Sequence, residues 1–518
     1  MSFSGEGGGI LTFPGFSPGS KLICCAADAA IQNWAPDVRG LAWCGFMHDG
    51  RCRNCGLSFA VWRGGVCLVG LIVKMREDRM QYRPGTRWRV IIACYHFLDA
   101  PCSPEKCLIM QNNFKDAVAF TQQGEPVGNL TLGRGTIDGQ TVYVAVIENR
   151  IASGALGVGE CDKLASLFKV VATTRVPLVM MIDSAGARVS DGLPALGAFR
   201  CMMAAALKAG AVGAPMVCVL GTHCFGGASM LAALCDLRYF NVYTKLAMSG
   251  PSILAAAAGT SALDDAFRAI AEVTIGATGR LKLDACHRPF DGKVALPTAT
   301  HARMRHQMLR ERLAAAKLFA KGANESVVRK DLTAMYPGGY TIHEVNGVLQ
   351  GAAQGAAKDG ASSEVAVIGS IDRQPMTAAR AHALSALVWK MADRSNSTHP
   401  PVLCLHVLVD CETHSTSLED EKVMLSLYLI DLAHALFALQ RGGTVIHTIV
   451  LGKLGGGIYV ALAAPSSEVN LVYGTEIQLL PGKAIAAILG DTANVKPEFA
   501  DYVHAGVAEH ELKIGWVV

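Results

Sequence analysis

Two adjacent glycines, Gly226 and Gly227, separate an apolar run from an Ala/Leu/Met-rich segment in Leu220–Ala233 (LGTHCFGGASMLAA). This pattern predicts a strand that turns through the glycines into the first turn of a helix. Amides at a helix start have no intrahelical acceptor, and glycine leaves them unshielded. Such amides can stabilise an oxyanion. The alternative interpretation is an ordinary βα loop in which glycine only permits the turn.

The same pattern occurs again in Val445–Ala464 (VIHTIVLGKLGGGIYVALAA), where Gly456 and Gly457 stand 230 residues after the first glycine pair. Upstream, Asp183 and Asp410 follow two similar apolar runs and are 227 residues apart. A nearly constant offset over roughly 75 residues indicates internal duplication. The chain therefore contains two related halves, each with its own glycine turn.

The N-terminal part contains residues that could bind a metal. Cys52 and Cys55 form a C-x₂-C pair, which can supply two of the four ligands of a structural zinc site. The other two ligands are Cys25 with Cys44, or Cys44 with His48. We predict zinc bound by Cys25, Cys44, Cys52 and Cys55, and the alternative is a small subdomain of reduced thiols.

Composition excludes several classes of protein. The net charge of +4 over 518 residues is too small to indicate a nucleic-acid partner. We expect no signal peptide and no membrane span, because no basic segment precedes an apolar one and every apolar run is interrupted. The 17 cysteines are scattered through strand-like and helix-like segments, as is typical of free thiols in a reducing compartment. We therefore expect a soluble cytoplasmic protein.

Strands alternate with helices from about residue 110 onward, which predicts parallel sheets with crossover helices. The expected fold class is α/β, with two tandem ββα-spiral domains preceded by a small Cys-rich subdomain. Within the second half, Leu418–Leu439 is expected to form one helix. The predicted domains are a disordered segment 1–20, a Cys-rich subdomain 21–105, an N-terminal domain 106–330 and a C-terminal domain 331–518.

Several motifs carry a family resemblance. SGALGVGE (Ser153–Glu160), IDSAGARVSDG, CFGGASMLAALC and SGPSIL resemble Gly-rich segments of the carboxyltransferase branch of the crotonase-like superfamily. The similarity is greatest to biotin-independent malonate decarboxylase, whose two carboxyltransferase-like subunits would here be fused. The Cys-rich start resembles the zinc ribbon of the acetyl-CoA carboxylase carboxyltransferase β subunit, although only one C-x₂-C pair is present. Lys453 stands where a serine-containing turn is typical of the family.

The resemblance implies a backbone oxyanion hole for a thioester enolate. His223 and His414 are candidate proton donors, with a core or capping role as the alternative for each. Arg188 binds phosphate or carboxylate, or pairs with Asp191 or Glu160. The implied catalytic residues are Gly157, Gly226, Gly227, Gly456, Gly457, His223 and His414. The implied substrate-binding residues are Ser184, Gly186, Arg188, Cys224, Phe225, Gly250 and Pro251.

Three functions remain open at this point. The first is decarboxylation of a malonyl group on an acyl carrier protein or CoA. The second is the carboxyltransferase component of a biotin-dependent acyl-CoA carboxylase, with biotin on a separate carrier since no Met-Lys-Met segment is present in this chain. The third is a scaffold that has lost its activity. Serine hydrolysis is not expected, because the G-x-S-x-G match GFSPG (Gly15–Gly19) lies in the segment 1–20 that is predicted to be disordered. A homodimer is expected from the resemblance.

Overall fold

The computed structural model describes most of the chain beyond residue 103 and four short strands before it. The described residues are 10–11, 22–23, 67–72, 91–96, 104–315, 325–356, 362–395, 402–472, 474–482 and 484. The chain divides into two compact units, Met1–Pro101 and Cys102–Val518. Among the described residues, no helix is long and apolar enough to cross a membrane.

The first unit contains two antiparallel strand pairs. Strand β1 (Ile10–Leu11) pairs with β2 (Leu22–Ile23), and β3 (Cys67–Ile72) pairs with β4 (Ile91–His96). The zinc ligands predicted in this unit lie outside the described residues, so that zinc site stays a prediction. They are Cys25, Cys44, Cys52 and Cys55.

The second unit begins with a half, residues 104–315, built on an eight-stranded sheet. Its order is β12-β10-β9-β8-β7-β6-β5, and β11 also pairs with β9. Strands β5, β6 and β7 are antiparallel, whereas β7, β8, β9, β10 and β12 are parallel. The strands are β5 (Thr121–Gln122), β6 (Leu130–Ile137), β7 (Gln140–Ile147), β8 (Leu178–Ser184), β9 (Met216–Phe225), β10 (Leu237–Phe240), β11 (Lys245–Ala247) and β12 (His287–Pro289).

A second half, residues 325–484, repeats this sheet in the order β13-β14-β15-β16-β17-β18-β19, with β20 paired to β18. Strand β13 lies before residue 331, where the second domain was predicted to begin, yet it pairs with β14 of the second sheet. The strands are β13 (Glu325–Ser326), β14 (Tyr340–Val345), β15 (Val348–Ala356), β16 (Ser362–Ser370), β17 (Cys404–Cys411), β18 (Val445–Gly455), β19 (Glu468–Leu471) and β20 (Glu476–Gln478).

The two sheets agree even in an irregularity of register. In each, the strand that leads to the glycine turn carries two more residues than its neighbour over one interval. The pairs that flank this bulge are Ile182–Leu220 and Ser184–Cys224 in the first sheet, and Val409–Val450 and Cys411–Leu454 in the second. Since bulges re-aim the residues that follow them, the shared bulge places both glycine turns in the same way.

Helices connect the parallel strands and pack between the halves. They are α1 (Pro104–Ala117), α2 (Val158–Thr174), α3 (Gly192–Ala211), α4 (Gly227–Ala233), α5 (Pro251–Ala257), α6 (Asp265–Ile275), α7 (Ala277–Leu283), α8 (Ala299–Ala315), α9 (Lys330–Met335), α10 (Ala378–Ser395), α11 (Leu418–Lys422), α12 (Leu425–Arg441) and α13 (Gly456–Ala463). One apolar core is shared by both halves, because α3 and α4 pack against α12 and α13. The fold is thus of the predicted α/β class, with two tandem halves built on sheets of the same strand order.

One predicted helix is wrong in detail. The segment Leu418–Leu439 forms two helices, α11 and α12, because Met424 adopts a left-handed conformation with φ of 62°. The apolar pattern runs through this break, so it was not visible in the sequence. The break allows Glu421, at the end of α11, to insert its side chain into the buried contact between the halves.

Candidate active site

The first glycine turn has the backbone geometry that its sequence predicts. Gly226 follows the end of β9 with φ of 55° and ψ of −130°, and α4 begins at Gly227. A side chain at Gly226 would have space but would be strained, because L-residues rarely adopt this conformation. A Cβ on Gly227 would clash with the ring of Phe199. Gly226 is therefore required by its backbone angle, and Gly227 by close packing.

The N–H group of Gly226 is not available to a ligand, because it donates to the main-chain oxygen of Met248 at 3.1 Å. The N–H groups of Gly227 and Ala187, in contrast, have no acceptor within the part of the chain that the structure describes. The two stretches are adjacent, since a Cβ on Gly186 would lie 3.3 Å from the Gly227 nitrogen. One free amide at the start of α4 and another in the adjacent loop after β8 can together form an oxyanion hole.

Gly157 was predicted to contribute an N–H group to this oxyanion hole, but that group already has an acceptor. Its N–H donates to Oε2 of Glu160, in the first turn of α2, at 3.2 Å. A side chain at Gly157 would clash with Asp191 and Arg188. The geometry thus favours Ala187, rather than Gly157, as the partner of Gly227. Sequence reasoning missed Ala187 because an alanine amide carries no motif of its own.

Arg188 is held by neighbouring side chains. It forms an ion pair with Glu160, approaches Asp191 Oδ2 at 3.6 Å and donates to the Ala155 carbonyl at 3.0 Å. Of the two roles expected for Arg188, the structure shows the pairing role. A network of this kind fixes the loop after β8, which carries Ala187.

His223 lies beside the first turn, and its ring stacks on Phe225 with centroids 5.6 Å apart. Its Nδ1 is 3.0 Å from Thr222 Oγ1, and its Nε2 is 3.1 Å from the Ser153 carbonyl oxygen. Thr222 in turn donates to the fully buried carboxylate of Asp183 at 2.9 Å. This chain of polar groups orients an imidazole whose side chain is 20 % exposed.

Most of the predicted substrate-binding residues surround this turn. Ser184 Oγ accepts a hydrogen bond from the Gly186 N–H at 3.1 Å. Gly250, which precedes Pro251 at the start of α5, lies against the Phe225 ring. Cys224 is an exception: it is fully buried in the shared core, so its side chain cannot contact a substrate. Burial, followed by the nearby Asp183 charge, raises the pKa of the Cys224 thiol well above its usual value.

The second glycine turn copies the first. Gly456 has the same φ of 55°, and Lys453 takes the position of His223 next to the bulge. His414 takes the position of Ala187, since the isolated parallel bridges are Leu156–Ala187 in the first half and Met376–His414 in the second. The duplication therefore presents a second pair of amides at His414 and Gly457.

The two turns lie on either side of one interface. A Cβ on Gly457 would lie 2.5 Å from Met248 Cε and 3.2 Å from Met230 Sδ, both from the first half. His414 Nε2 is 3.2 Å from Ser249 Oγ, also from the first half. Burial lowers the pKa of His414 from 6.5 to about 4, so this ring is neutral at pH 7. The second turn is buried here, whereas the first is partly exposed.

A buried ion pair supports the loop between β11 and α5, which carries Met248 and Ser249. Arg280 of α7 and Glu421 of α11 meet at 2.9 Å with both side chains fully buried. The other carboxylate oxygen of Glu421 accepts from the Met248 N–H at 2.7 Å. Burial raises the pKa of Glu421 and lowers that of Arg280, and each effect is partly offset by the partner's charge. The pair positions Met248 and Ser249 against the second half.

A cavity of about 1030 Å³ lies elsewhere, lined by residues of α8, α10 and α12 such as Arg310, Trp389 and Asp431. None of the glycine-turn residues lines it. We take the free amides, and not this cavity, as the candidate active site, because main-chain N–H groups of this kind can stabilise an oxyanion.

Residues 110–285 match the carboxyl transferase domain family. The chain is 27 % identical over 140 residues to the methylmalonyl-CoA carboxyltransferase 12S subunit of Propionibacterium freudenreichii subsp. shermanii. The aligned segment covers 27 % of this chain and 26 % of that subunit. It is 28 % identical over 184 residues to a putative propionyl-CoA carboxylase β chain of Bacillus subtilis, covering 35 % and 34 % of the two chains. The matched segments thus span about a quarter to a third of these relatives.

A solved structure of the Pseudomonas malonate decarboxylase MdcD-MdcE heterodimer is 21 % identical, with a TM-score of 0.31. The alignment covers 39 % of this chain and 92 % of that chain. A TM-score this low supports no conclusion about function. Residues 110–285 are therefore similar to a carboxyl transferase domain, and they lie in a half of mixed α/β structure.

Proposed function

We propose that this protein decarboxylates a malonyl thioester through an enolate held by the amides of Ala187 and Gly227. The observation that most supports this proposal is the difference in solvent exposure between the two glycine turns. The first turn is partly exposed, whereas the second is closed by Met230 and Met248. Loss of CO₂ requires one open oxyanion site, while transfer of a carboxyl group requires a second open site for its donor.

The reaction needs only electron flow and a proton. The electrons of the breaking C–C bond move into the thioester carbonyl, CO₂ departs, and negative charge collects on the enolate oxygen. Two N–H groups aimed at that oxygen stabilise the transition state more than the substrate, because the charge is absent before the bond breaks. Addition of a proton to the enolate carbon then gives the acetyl thioester.

His223 is the proton donor in this proposal. It lies three residues before Gly226, is partly exposed, and is oriented by Thr222 and the Ser153 carbonyl. His414 is fully buried beside the second turn and hydrogen-bonds to Ser249, so we assign it a positioning role.

The thioester carrier is CoA or an acyl carrier protein. The names of the relatives refer to CoA thioesters, which supports CoA. A homodimer in the cytoplasm, with biotin absent from the chain, stays part of the prediction.

Carboxyl transfer to or from a biotin carrier is the second candidate. The match of residues 110–285 to the carboxyl transferase domain family favours it. It requires that the loop bearing Met248 move away from Gly457, so that the second pair of amides becomes accessible.

A direct assay separates the two candidates. Purified full-length protein is incubated with malonyl-CoA or malonyl-acyl carrier protein, without biotin or ATP, and acetyl thioester is followed by mass spectrometry. Decarboxylation predicts acetyl thioester from at least one carrier. Failure with both carriers, together with carboxylation of acetyl-CoA or propionyl-CoA by a carboxybiotin carrier, would replace the first candidate with the second.

The oxyanion assignment has its own test. Proline at the first position of a helix keeps the backbone angle but removes the N–H. Because a side chain at Gly227 clashes with Phe199, the comparison is between Phe199→Ala and the double variant Phe199→Ala, Gly227→Pro. We expect the double variant to be slower by about a hundredfold or more, the usual effect of removing one oxyanion donor. Equal rates in two folded variants would exclude the Gly227 amide.

A further inference from the structure

Three side chains that commonly bind metals meet on the outer face of the second sheet. Cys404 and His406 lie two residues apart on β17 and so share a face. His447 of β18 lies directly opposite His406 in the strand register. The Cys404 sulfur and one nitrogen from each imidazole lie within 4.8 Å of one another, and all three residues are half-buried.

The first half shows that the fold does not need this cluster. Three residues before the shared bulge, the first sheet pairs Val179 with Val217, where the second pairs His406 with His447. Both valines are fully buried in an apolar cluster. Cys404 likewise corresponds to Pro177. Apolar residues therefore satisfy these positions in one copy of the fold, and potential ligands occupy all three in the other.

Each imidazole is already oriented through its Nδ1 atom. His406 Nδ1 is 2.8 Å from the hydroxyl of the buried Tyr336. His447 Nδ1 is 3.1 Å from the side-chain amide of Asn470 and 3.3 Å from Glu468 Oε2. Metal-binding histidines commonly hold the ring nitrogen that does not bind the metal in this way. Nε2 of both rings has no hydrogen-bond partner among the residues that the structure describes, so it is available to a ligand.

Asn470 gives a second, independent sign. Its side chain is 1 % exposed, and its Oδ1 atom has no hydrogen-bond partner among the described residues. The orientation of an amide is assigned from its hydrogen bonds, so the O and N atoms can be exchanged. In the exchanged orientation Oδ1 accepts from His447 Nδ1–H, which is the tautomer that leaves Nε2 free to bind a metal.

We propose that Cys404, His406 and His447 form a binding site for a divalent zinc ion. One thiolate and two imidazoles are ligands that Zn²⁺ prefers, and water supplies the fourth position. A tetrahedral zinc ion holds such ligand atoms roughly 3.5 Å apart, so small side-chain rotations close the present spacing. The bound ion joins β17 to β18 and does not depend on the reaction proposed above.

The test uses full-length protein carrying Cys52→Ser and Cys55→Ser, so that the predicted N-terminal zinc site lacks its C-x₂-C pair. After removal of metals with a chelator, Co²⁺ is titrated and then displaced by Zn²⁺. We expect a thiolate-to-cobalt charge-transfer band that saturates at about one equivalent. His406→Val with His447→Val, the residues of the first half, should abolish this band. The matched control, His343→Val with Cys201→Ser, alters an exposed histidine and an exposed cysteine and should retain it.

Further variants keep the test decisive if the double valine variant does not fold. Cys404→Ser should remove the charge-transfer band, and Tyr336→Phe should weaken Zn²⁺ binding by about tenfold, as is usual for loss of an orienting partner. Persistence of the band in Cys404→Ser, or unchanged Zn²⁺ affinity in the double valine variant, would overturn the proposal.

Discussion

At the scale of single residues, the candidate site depends on main-chain groups more than on side chains. Gly226 and Gly456 share one left-handed conformation, and the free amides belong to the residues around them. The histidines differ: His223 is partly exposed and held by two oxygen atoms, whereas His414 is fully buried and neutral. Each difference leads to a measurable consequence.

His223 can be tested by substitution. Because a general acid typically contributes at least about a hundredfold to rate, His223→Gln should lower kcat by that order with little change in KM. The pH profile of kcat should also lose one limb, which a purely structural role would leave in place. Lys453→Gln, at the equivalent position in the second half, is the matched control and should retain activity. A wild-type pH profile in His223→Gln would exclude proton donation.

His414 makes stability depend on pH. Its pKa is about 4 in the folded protein and 6.5 when exposed, so the unfolded chain binds more protons between these values. Stability is therefore complete above about pH 6.5 and is lost as the pH falls towards about 4. When the pH falls from about 7.5 to about 4.5, the free energy of unfolding should decrease in both proteins. In urea unfolding, the decrease for His414→Asn should be about 2–3 kcal/mol smaller than for the wild type. Parallel pH dependences would show that this ring is not buried in a neutral form.

At the scale of elements, the loop between β11 and α5 connects the two turns. Met248 accepts from Gly226 and packs on Gly457, while Ser249 contacts His414. The buried pair of Arg280 and Glu421 holds this loop from α7 and α11. The short helix α11 is separate from α12 because Met424, which lies between them, adopts a left-handed backbone conformation.

Removing one partner of the Arg280–Glu421 ion pair should lower the free energy of unfolding. Glu421→Leu leaves Arg280 charged and buried, which typically destabilises a protein by about 3–5 kcal/mol. The double variant Arg280→Met, Glu421→Leu should recover much of this loss, because no unpaired charge remains. Denaturant unfolding of the four proteins forms a double-mutant cycle. Additive effects would show that the two side chains do not interact.

At the scale of the whole molecule, the two halves share one apolar core. Helices α3 and α4 of the first half pack on α12 and α13 of the second, and those helices are largely buried. A single half would expose this surface to water. The halves are therefore expected to fold as a pair.

Expression of the halves separately tests this dependence. Residues 102–324 and 325–518 should each be insoluble or aggregated alone, because burial of apolar surface drives their folding. Co-expression should give a soluble complex, detected by purification through a tag on one half. A monomeric, cooperatively folded 102–324 fragment would contradict the shared core.

The sequence determined the local features and their repetition. Strand, glycine turn and helix were predictable because apolar runs, adjacent glycines and Ala/Leu-rich segments each favour one local structure. The constant offset predicted two copies, and the matching bulges and sheet orders agree with it. The hairpin between β6 and β7 turns at Asp138 and Gly139, a residue pair that tolerates the positive φ that such a turn requires.

Tertiary structure decided which of these features could act. Only three-dimensional packing shows that the N–H groups of Gly157 and Gly226 donate to Glu160 and Met248, while that of Ala187 has no acceptor in the part of the chain that the structure describes. The sequence does not reveal the acceptor of the Gly226 N–H group, because Met248 belongs to a different segment of the chain. For the same reason, the meeting of His406 with His447 depends on strand register. Local patterns specify what each segment can do, and long-range contacts determine which amides and side chains remain available to do it.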